Sequence, residues 1–427
     1  MVLMAPPLLL WAAWRSSSTR FQQWLLTAFV TIYGATIGIA FDPEGAGPDG
    51  VRHLLRVHTH YVGLSFPQYL RELSEIVTFQ LTTAPQEDVF IHTLSYIAGG
   101  VIGIPELFFP AVAFVYGYAF TGSMLIIFRG LRRTRIPFVV LFLFLTFFLV
   151  TNIEGVQSVR MWTGLWVLVY AALRYYQTRS PRHLLLLAVP PFIHFSYFVL
   201  VLPAYVVLLF GSRPLLYTVL FVASSVTAFV DPATVQSLAQ FTPRGEQSFR
   251  SYYRPETGSP APRLERSLSQ SNRIWHDLTQ AGVQRWALNV FIATMIITGV
   301  YPLAMTALQR RLFSTGLLTL TLSNATWFIS SLENRAWTVG IVFIGAAFIM
   351  MTLSQGGRPW VPRLRQTYAS GLLASAILFV PYVAFNLSTL LDYPSVFLLV
   401  APFVVWIDPS VNVTMKEALQ FVIYSVL

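Results

Sequence analysis

The feature that most constrains this chain is a succession of apolar stretches, each close to membrane-crossing length, separated by short charged connections. A helix that crosses the hydrocarbon core needs about 20 largely apolar residues, with about 17 as a lower limit. Phe21–Phe41, Pro110–Phe128, Ile136–Asn152, Met161–Tyr176, Pro214–Val230, Trp286–Leu308, Leu312–Ser330, Ala336–Leu353 and Ala369–Leu391 approach or meet that requirement. Three stretches fit less simply. Val89–Ile104 is interrupted by Gly99, Gly100 and Gly103; His183–Phe210 is too long for one span and is broken by Pro190, Pro191 and Pro203; Tyr393–Ile407 is short. Only 11% of the residues are charged and 55% are hydrophobic. A soluble chain carries about 25% charge, so a soluble globular protein is excluded, and so apolar a chain does not stay disordered in water. The absence of cysteine excludes disulfides and thiolate chemistry. The expectation is an all-α protein: one polytopic membrane helical bundle over residues 1–427, with about 11–13 transmembrane or re-entrant helices.

The net charge of +10 is explained by orientation rather than by nucleic-acid binding. One set of connections holds Arg15 and Arg20; Arg129, Arg132, Arg133 and Arg135; Arg174, Arg179 and Arg182; Arg213; Arg310 and Arg311; and Arg358, Arg363 and Arg365, with no acidic residue among them. The opposite connections hold Asp42, Glu44, Asp49, Glu87, Asp88, Glu154, Glu333 and Asp392. The positive-inside rule places the arginine set in the cytoplasm. Alternation of sides then makes Val89–Ile104 re-entrant or interfacial and folds His183–Phe210 into a short hairpin with an outward tip near His194. Residues 42–88 and 231–285 become the two long outside segments. The second, with Arg244, Arg250, Arg254, Arg263, Arg266, Arg273 and Arg285 among Pro, Ser and Gln, is either a solvated loop or a lid. Met1–Trp14 is apolar without a basic region before its core, so it reads as a shortened first helix rather than a cleaved signal peptide.

Ionisable groups beside membrane spans are costly and are candidate functional groups by default. Arg160 opens a span close to Asn152, Glu154 and Gln157; His194 and Ser196 lie at the hairpin tip; Glu333, Asn334 and Arg335 join two spans; Asp49, Arg52 and His53 follow the first full span. Each has a bland alternative. Arg160 and Arg335 can be interfacial anchors or loop ion-pair partners, and a lone membrane histidine is often only a structural hydrogen-bonder. Their convergence on one face favours a site, and a guanidinium fork suits phosphate oxygens. His58 and His60 form a His-x-His pair, but no carboxylate stands at a matching spacing, so no metal and no cofactor is assigned.

At these residues the sequence resembles the EpsG-type family of bacterial polysaccharide polymerases, related to the O-antigen polymerases. The family places an Arg-Gln and then a small residue at the start of a central span; here Arg160, Met161 and Gly164 stand there, with Met in place of Gln. Its His-x-Ser motif, about thirty residues on, matches His194-Phe195-Ser196, followed by an apolar segment with Pro203 and Tyr205. Its acidic residue opening the segment after the first outside loop matches Glu87-Asp88-Val89-Phe90. Its early Gly-rich stretch leading to Asp matches Gly45, Gly47 and Asp49, with His53 where a Tyr is usual. The resemblance covers roughly residues 20–210 and extends weakly to Arg335. It implies a multi-pass enzyme of the bacterial cytoplasmic membrane that joins undecaprenyl-diphosphate-linked oligosaccharides at the outer face, next to membrane lipid and in company with flippase and chain-length-control proteins. Arg160 and Arg335 would steady the departing diphosphate, and His194 or a carboxylate such as Asp49 or Glu154 would act as base. Gln157, Ser196, Glu333, Arg52 and Glu87 complete the expected substrate-binding set.

Two other enzyme or carrier classes compete. A lipid-linked glycan flippase or transporter would show inverted repeats and intramembrane charge on both sides, whereas here no repeat is evident and the polar groups gather on one side. A polyprenyl-phosphate-sugar-dependent glycosyltransferase would use an acidic pair in the first outside loop, which Asp42, Glu44 and Asp49 leave open. The orientation is directly testable in this cysteine-free chain. Cysteines at Pro260 and Asn334 should react with a membrane-impermeant thiol reagent from outside, and cysteines at Ser180 and Gly357 should not. The reverse pattern would invert the topology.

Overall fold

The computed structural model describes residues 6–36, 49–80, 88–129, 153–226, 232–240, 284–297, 299–354 and 413–426, with isolated positions at 131, 246, 395–399, 402 and 404. It is 84% helical, with no strand among the described residues, which gives an all-α architecture. The expected spans Ile136–Asn152 and Ala369–Leu391, most of Tyr393–Ile407 and of 231–285, Glu87, and the side chains of Asp49, Glu154 and Gln157 lie outside the described residues.

Helix α1 (Pro7–Arg15) folds back on α2 (Thr19–Ala35), whose N-cap Ser18 accepts the Phe21 N–H. Helices α3 (Asp49–Arg56) and α4 (Phe66–Val77) follow, then α5 (Val89–Ser95), α6 (Phe108–Ile127) and α7 (Met161–Thr178). Four short pieces come next, α8 (Pro181–Leu187), α9 (Pro190–Ile193), α10 (Tyr197–Leu200) and α11 (Leu202–Phe210). Helices α12 (Pro214–Val226), α13 (Pro232–Ala239), α14 (Gln284–Ile297), α15 (Ala307–Ala325), α16 (Ser330–Ser354) and α17 (Met415–Val426) complete the described elements. Among the described residues, two segments, Pro105–Ile127 and Ser331–Ser354, are long and apolar enough to cross a membrane.

The core is a chain of helix pairs: α2 on α6, α6 on α7, α7 on α15, and α15 on α12 and α16. Polar groups between them are paired across helices. The Thr27 and Thr121 hydroxyls are 3.1 Å apart, the Gln23 side chain donates to the Tyr118 carbonyl at 2.9 Å, and the Tyr176 hydroxyl lies 3.0 Å from that of Thr315. Such bonds hold helices together where no water competes for the donors. Helices α15 and α16 also approach closely. A Cβ on Gly316 would stand 2.5 Å from Ile344 Cγ1 and 3.0 Å from the Gly340 carbonyl.

The segment after α7 makes a hairpin along it. His183 Nδ1 is 3.0 Å from the Thr178 hydroxyl at the end of α7, and the tip reaches the other end, where the Tyr197 hydroxyl donates to the Met161 carbonyl at 2.6 Å. The return limb brings the Ala204 carbonyl back to the Tyr176 hydroxyl, 3.2 Å away. The turn falls at His194, whose backbone is extended. Two expected helices differ in detail. Trp286–Leu308 is not continuous: α14 ends at Ile297, Gly299 takes a left-handed φ of 69°, and a π turn runs over Val300–Ala304. The residue before a proline is disfavoured in helical backbone, and Tyr301, before Pro302, is non-helical at φ −99° and ψ 115°. Val89–Ile104 begins as α5, loosens into a π turn over Tyr96–Ile102, and stops at Gly103 with φ 75°.

The α15–α16 crossing yields a prediction. Gly316→Val should separate the two helices and cost about 1–3 kcal/mol, seen as a lowered midpoint of thermal unfolding in detergent. An unchanged midpoint would mean that the helices do not cross there.

Candidate active site at one end of the bundle

The site is built on a carboxylate that reaches three elements. Asp88 sits at the N-terminal boundary of α5, leaving its side chain free of helix capping. It is 3% exposed. Its Oδ2 accepts a hydrogen bond from Arg160 Nη1 at 2.9 Å, and Oδ1 accepts the Phe195 N–H at 2.9 Å. Oδ1 also lies 3.8 Å from His194 Nδ1, a charge contact too long for a hydrogen bond. Arg160 opens α7, and Phe195 and His194 form the hairpin tip, so one carboxylate joins α5, α7 and the hairpin.

Local sequence explains why the tip can approach so closely. Gly164 lies one turn into α7, and a Cβ there would stand 2.5 Å from the Tyr197 ring. Its bare backbone lets Tyr197 lie against the helix and hydrogen-bond Met161. The Arg335 guanidinium lies within electrostatic range of the Tyr197 phenol, which brings the start of α16 to the same end of the bundle. Glu333, one turn before Trp337 on α16, is 3% exposed, and its carbonyl accepts the Ser323 hydroxyl at 2.9 Å.

Arg160 and His194 therefore converge on Asp88, with Tyr197 in the same hairpin tip and Arg335 within electrostatic range of its phenol. Ser196 joins them: its hydroxyl is buried and has no hydrogen-bond partner among the described residues, while its N–H donates to His194 Nδ1 at 3.4 Å. Thr163, three residues after Arg160 on α7, likewise buries an unpartnered hydroxyl. Arg52 is exposed on α3. Glu154 and Gln157 lie on a short 3₁₀ turn, Ile153–Ser158, that leads into Arg160. Sequence reasoning named Asp88 only together with Glu87 and placed Glu87 alone in the expected binding set. The signal was its place immediately before an apolar run, which it shares with its neighbour Glu87.

A second polar cluster lies along α5. Glu72, on α4, is 6% exposed and meets His60 Nε2 at 2.9 and 3.1 Å. His92, fully buried on α5, places Nδ1 2.7 Å from the Tyr61 hydroxyl and Nε2 3.3 Å from the Tyr69 carbonyl. A carbonyl only accepts, so Nε2 carries the proton and Tyr61 donates to Nδ1. Burial, reinforced by the Glu72 carboxylate, pushes the Tyr61 phenol well above its ordinary value, so it stays a hydroxyl. His58 turns instead to Glu106, 3.5 Å away, so the His-x-His pair diverges. Among the described residues no group of three or more His, Asp or Glu side chains is arranged to hold a metal ion.

Comparison with protein-family models, curated proteins and solved structures gives no match.

The Asp88 contacts carry a stability prediction. Removing one member of a buried pair leaves the other charge uncompensated, at a cost of about 3–5 kcal/mol. The Arg160 side chain is 20% exposed, so water offsets part of that loss. Asp88→Ala should therefore cost about 3 kcal/mol in a reversible unfolding measurement. Asp88→Asn, which keeps an oxygen for the Phe195 N–H, should cost less. Equal, small effects from both would show that the carboxylate does not anchor the tip.

Proposed function

We propose that this chain is a multi-pass membrane enzyme of glycan assembly that joins oligosaccharides carried on undecaprenyl diphosphate at the outer face of a bacterial cytoplasmic membrane. The membrane reading is supported by the acid-free arginine connections and by the apolar surface of short helices such as α12, where Leu215 is 80% exposed. The observation that carries the chemical reading is the convergence of Arg160 and His194 on buried Asp88, with Ser196 beside His194 in the same hairpin tip.

In this reaction a hydroxyl of the acceptor sugar attacks the anomeric carbon of the donor. The bond from that carbon to the diphosphate breaks, and the electron pair leaves on the diphosphate oxygen. Negative charge grows on the leaving group, so donors already aimed at it lower the barrier most. Asp88 engages one terminal nitrogen of Arg160 and so holds the guanidinium at this end of the bundle. A guanidinium placed there suits phosphate oxygens. Arg335 adds a second cation at the same end, and Ser196 offers a hydroxyl to a sugar or phosphate oxygen. Nδ1 of His194 faces Asp88 and the Ser196 amide, so the ring is held at the same carboxylate as Arg160.

Arg160→Lys separates diphosphate recognition from simple anchoring. Lysine keeps the charge but cannot hold two oxygens in one plane. Losing one such contact in the transition state costs about 3 kcal/mol, roughly a hundredfold in rate. The ladder of lipid-linked glycan formed in membranes, normalised to protein level, should fall by that factor, with Arg335→Lys measured in parallel. Near-normal ladders from both variants would remove the arginine clamp, since an exposed anchoring pair is worth only about 0–1 kcal/mol.

A further inference from the structure

The outer segment contains a second chemically poised group. His60 lies on a π turn, Val57–Tyr61, that packs against the π turn Tyr96–Ile102. A Cβ on Gly99 would stand 3.0 Å from Tyr61 Cβ, so the glycine makes that approach possible. π turns are rare and gather at functional sites. Here the turn sends His60 towards Glu72 and Tyr61 towards His92. The His60 side chain is 32% exposed and that of Glu72 is 7% exposed. Carboxylate oxygens only accept, so Nε2 of His60 carries the proton and donates to Glu72. Nδ1 makes no hydrogen bond among the described residues. A buried carboxylate that fixes the tautomer of a partly exposed imidazole is the arrangement of an oriented general base.

The position of this pair relative to Arg160 gives the base a task. His92 donates its backbone N–H to the Asp88 carbonyl at 3.1 Å, so the two residues are one helical turn, about 5.4 Å, apart along α5. Glu72 lies 3.8 Å from His92, and Arg160 lies 2.9 Å from Asp88, so α5 carries both clusters side by side. A base and a leaving-group cation act on opposite sides of an anomeric carbon, so a shared substrate would bridge the two clusters. We propose that His60, oriented by Glu72, is the general base that accepts the proton of the acceptor sugar's hydroxyl; this rests on the polymerase reading above. The O–H bond of the acceptor breaks as its oxygen bonds to the anomeric carbon. The proton passes to His60 Nδ1, the electron pair of the breaking glycosidic bond leaves on the diphosphate, and His60 then returns its proton to water. His60 is the catalytic residue and Glu72 its positioning residue. His194, at 2% exposure and with Nδ1 turned into the protein, is the less accessible imidazole.

The test uses the full chain in membranes and in detergent. His60→Ala should lower ladder formation by about a hundredfold, the lower end of what general-base catalysis contributes. Added imidazole should restore part of it, while undecaprenyl diphosphate still stabilises the purified variant as it does the wild type. Near-normal ladders from His60→Ala overturn the assignment, and so does a loss that imidazole cannot rescue. Carbethoxylation by diethyl pyrocarbonate, read by mass spectrometry, judges the pair independently of polymer formation. His58, with a side chain 36% exposed, is the internal reference. His60 should react faster than His58 in the wild type, and Glu72→Gln should abolish the difference; equal wild-type rates overturn the oriented base. If wild-type membranes form no ladder, the polymerase reading fails, and the labelling comparison alone decides whether His60 is an oriented base.

Discussion

The burial of one carboxylate sets the arrangement of this end of the molecule. A carboxylate taken out of water needs charge and hydrogen bonds in return, and Asp88 obtains them from Arg160 on α7 and from the Phe195 N–H in the hairpin. Buried ion pairs contribute little net stability compared with apolar packing of the same volume. Their effect is geometric: a pair with one good arrangement excludes the others. The hairpin needs this kind of fixing. Helices α9 and α10 are only 4 residues each, far below the length at which helices persist alone. Its tip is held by three contacts from outside: Phe195 on Asp88, Tyr197 on the Met161 carbonyl, and the Tyr197 ring on bare Gly164.

The same tip shows how an apolar protein accommodates irregular backbone. Pro190 and Pro191 remove two N–H donors where the chain turns, and His194 is extended. Within a membrane such backbone is tolerated only where protein or a wet cavity satisfies it. Here the His194 N–H returns to the Pro190 carbonyl and the Tyr197 N–H to the His194 carbonyl, at 3.0 and 2.9 Å. Phe195, between them, would lack a local partner, and Asp88 supplies one. The residue that holds the arginine in place therefore also completes the hydrogen bonding of the turn. Folding of the hairpin and alignment of Arg160 are one event.

How much of this was legible beforehand follows from what each residue stands against. Helices α6, α7 and α16 announce themselves as long apolar runs, and the hairpin turn follows from prolines inside a stretch too long for one crossing. Arg160 and His194 were visible because a polar residue among apolar neighbours is costly, and the structure brings both to one carboxylate. Asp88 was not distinguished from Glu87 because it ends a polar loop directly after it, and sequence does not say which of two adjacent carboxylates turns inward. The His60–Glu72 pair was hidden for a different reason. Spacing rules assume α-helical or extended phase, and the π turn at Val57–Tyr61 shifts that phase, so His58 and His60, which look like a pair, go to different carboxylates. The break before α15 was partly legible in Gly299 and Pro302, but neither residue alone outweighs an apolar run of that length.

The pairing of Arg160 with Asp88 also shapes what the site selects. A lone guanidinium in an apolar pocket would attract any anion; with Asp88 beside it, the pair is formally neutral and long-range attraction is small. What remains is short-range donor geometry, which Asp88 orients through its contact with Arg160 at 2.9 Å. Under the proposed reaction, that geometry rather than a long-range field would distinguish a diphosphate from a simple anion. The stabilisation would then be greatest as the proposed leaving group takes up the electron pair of the breaking bond.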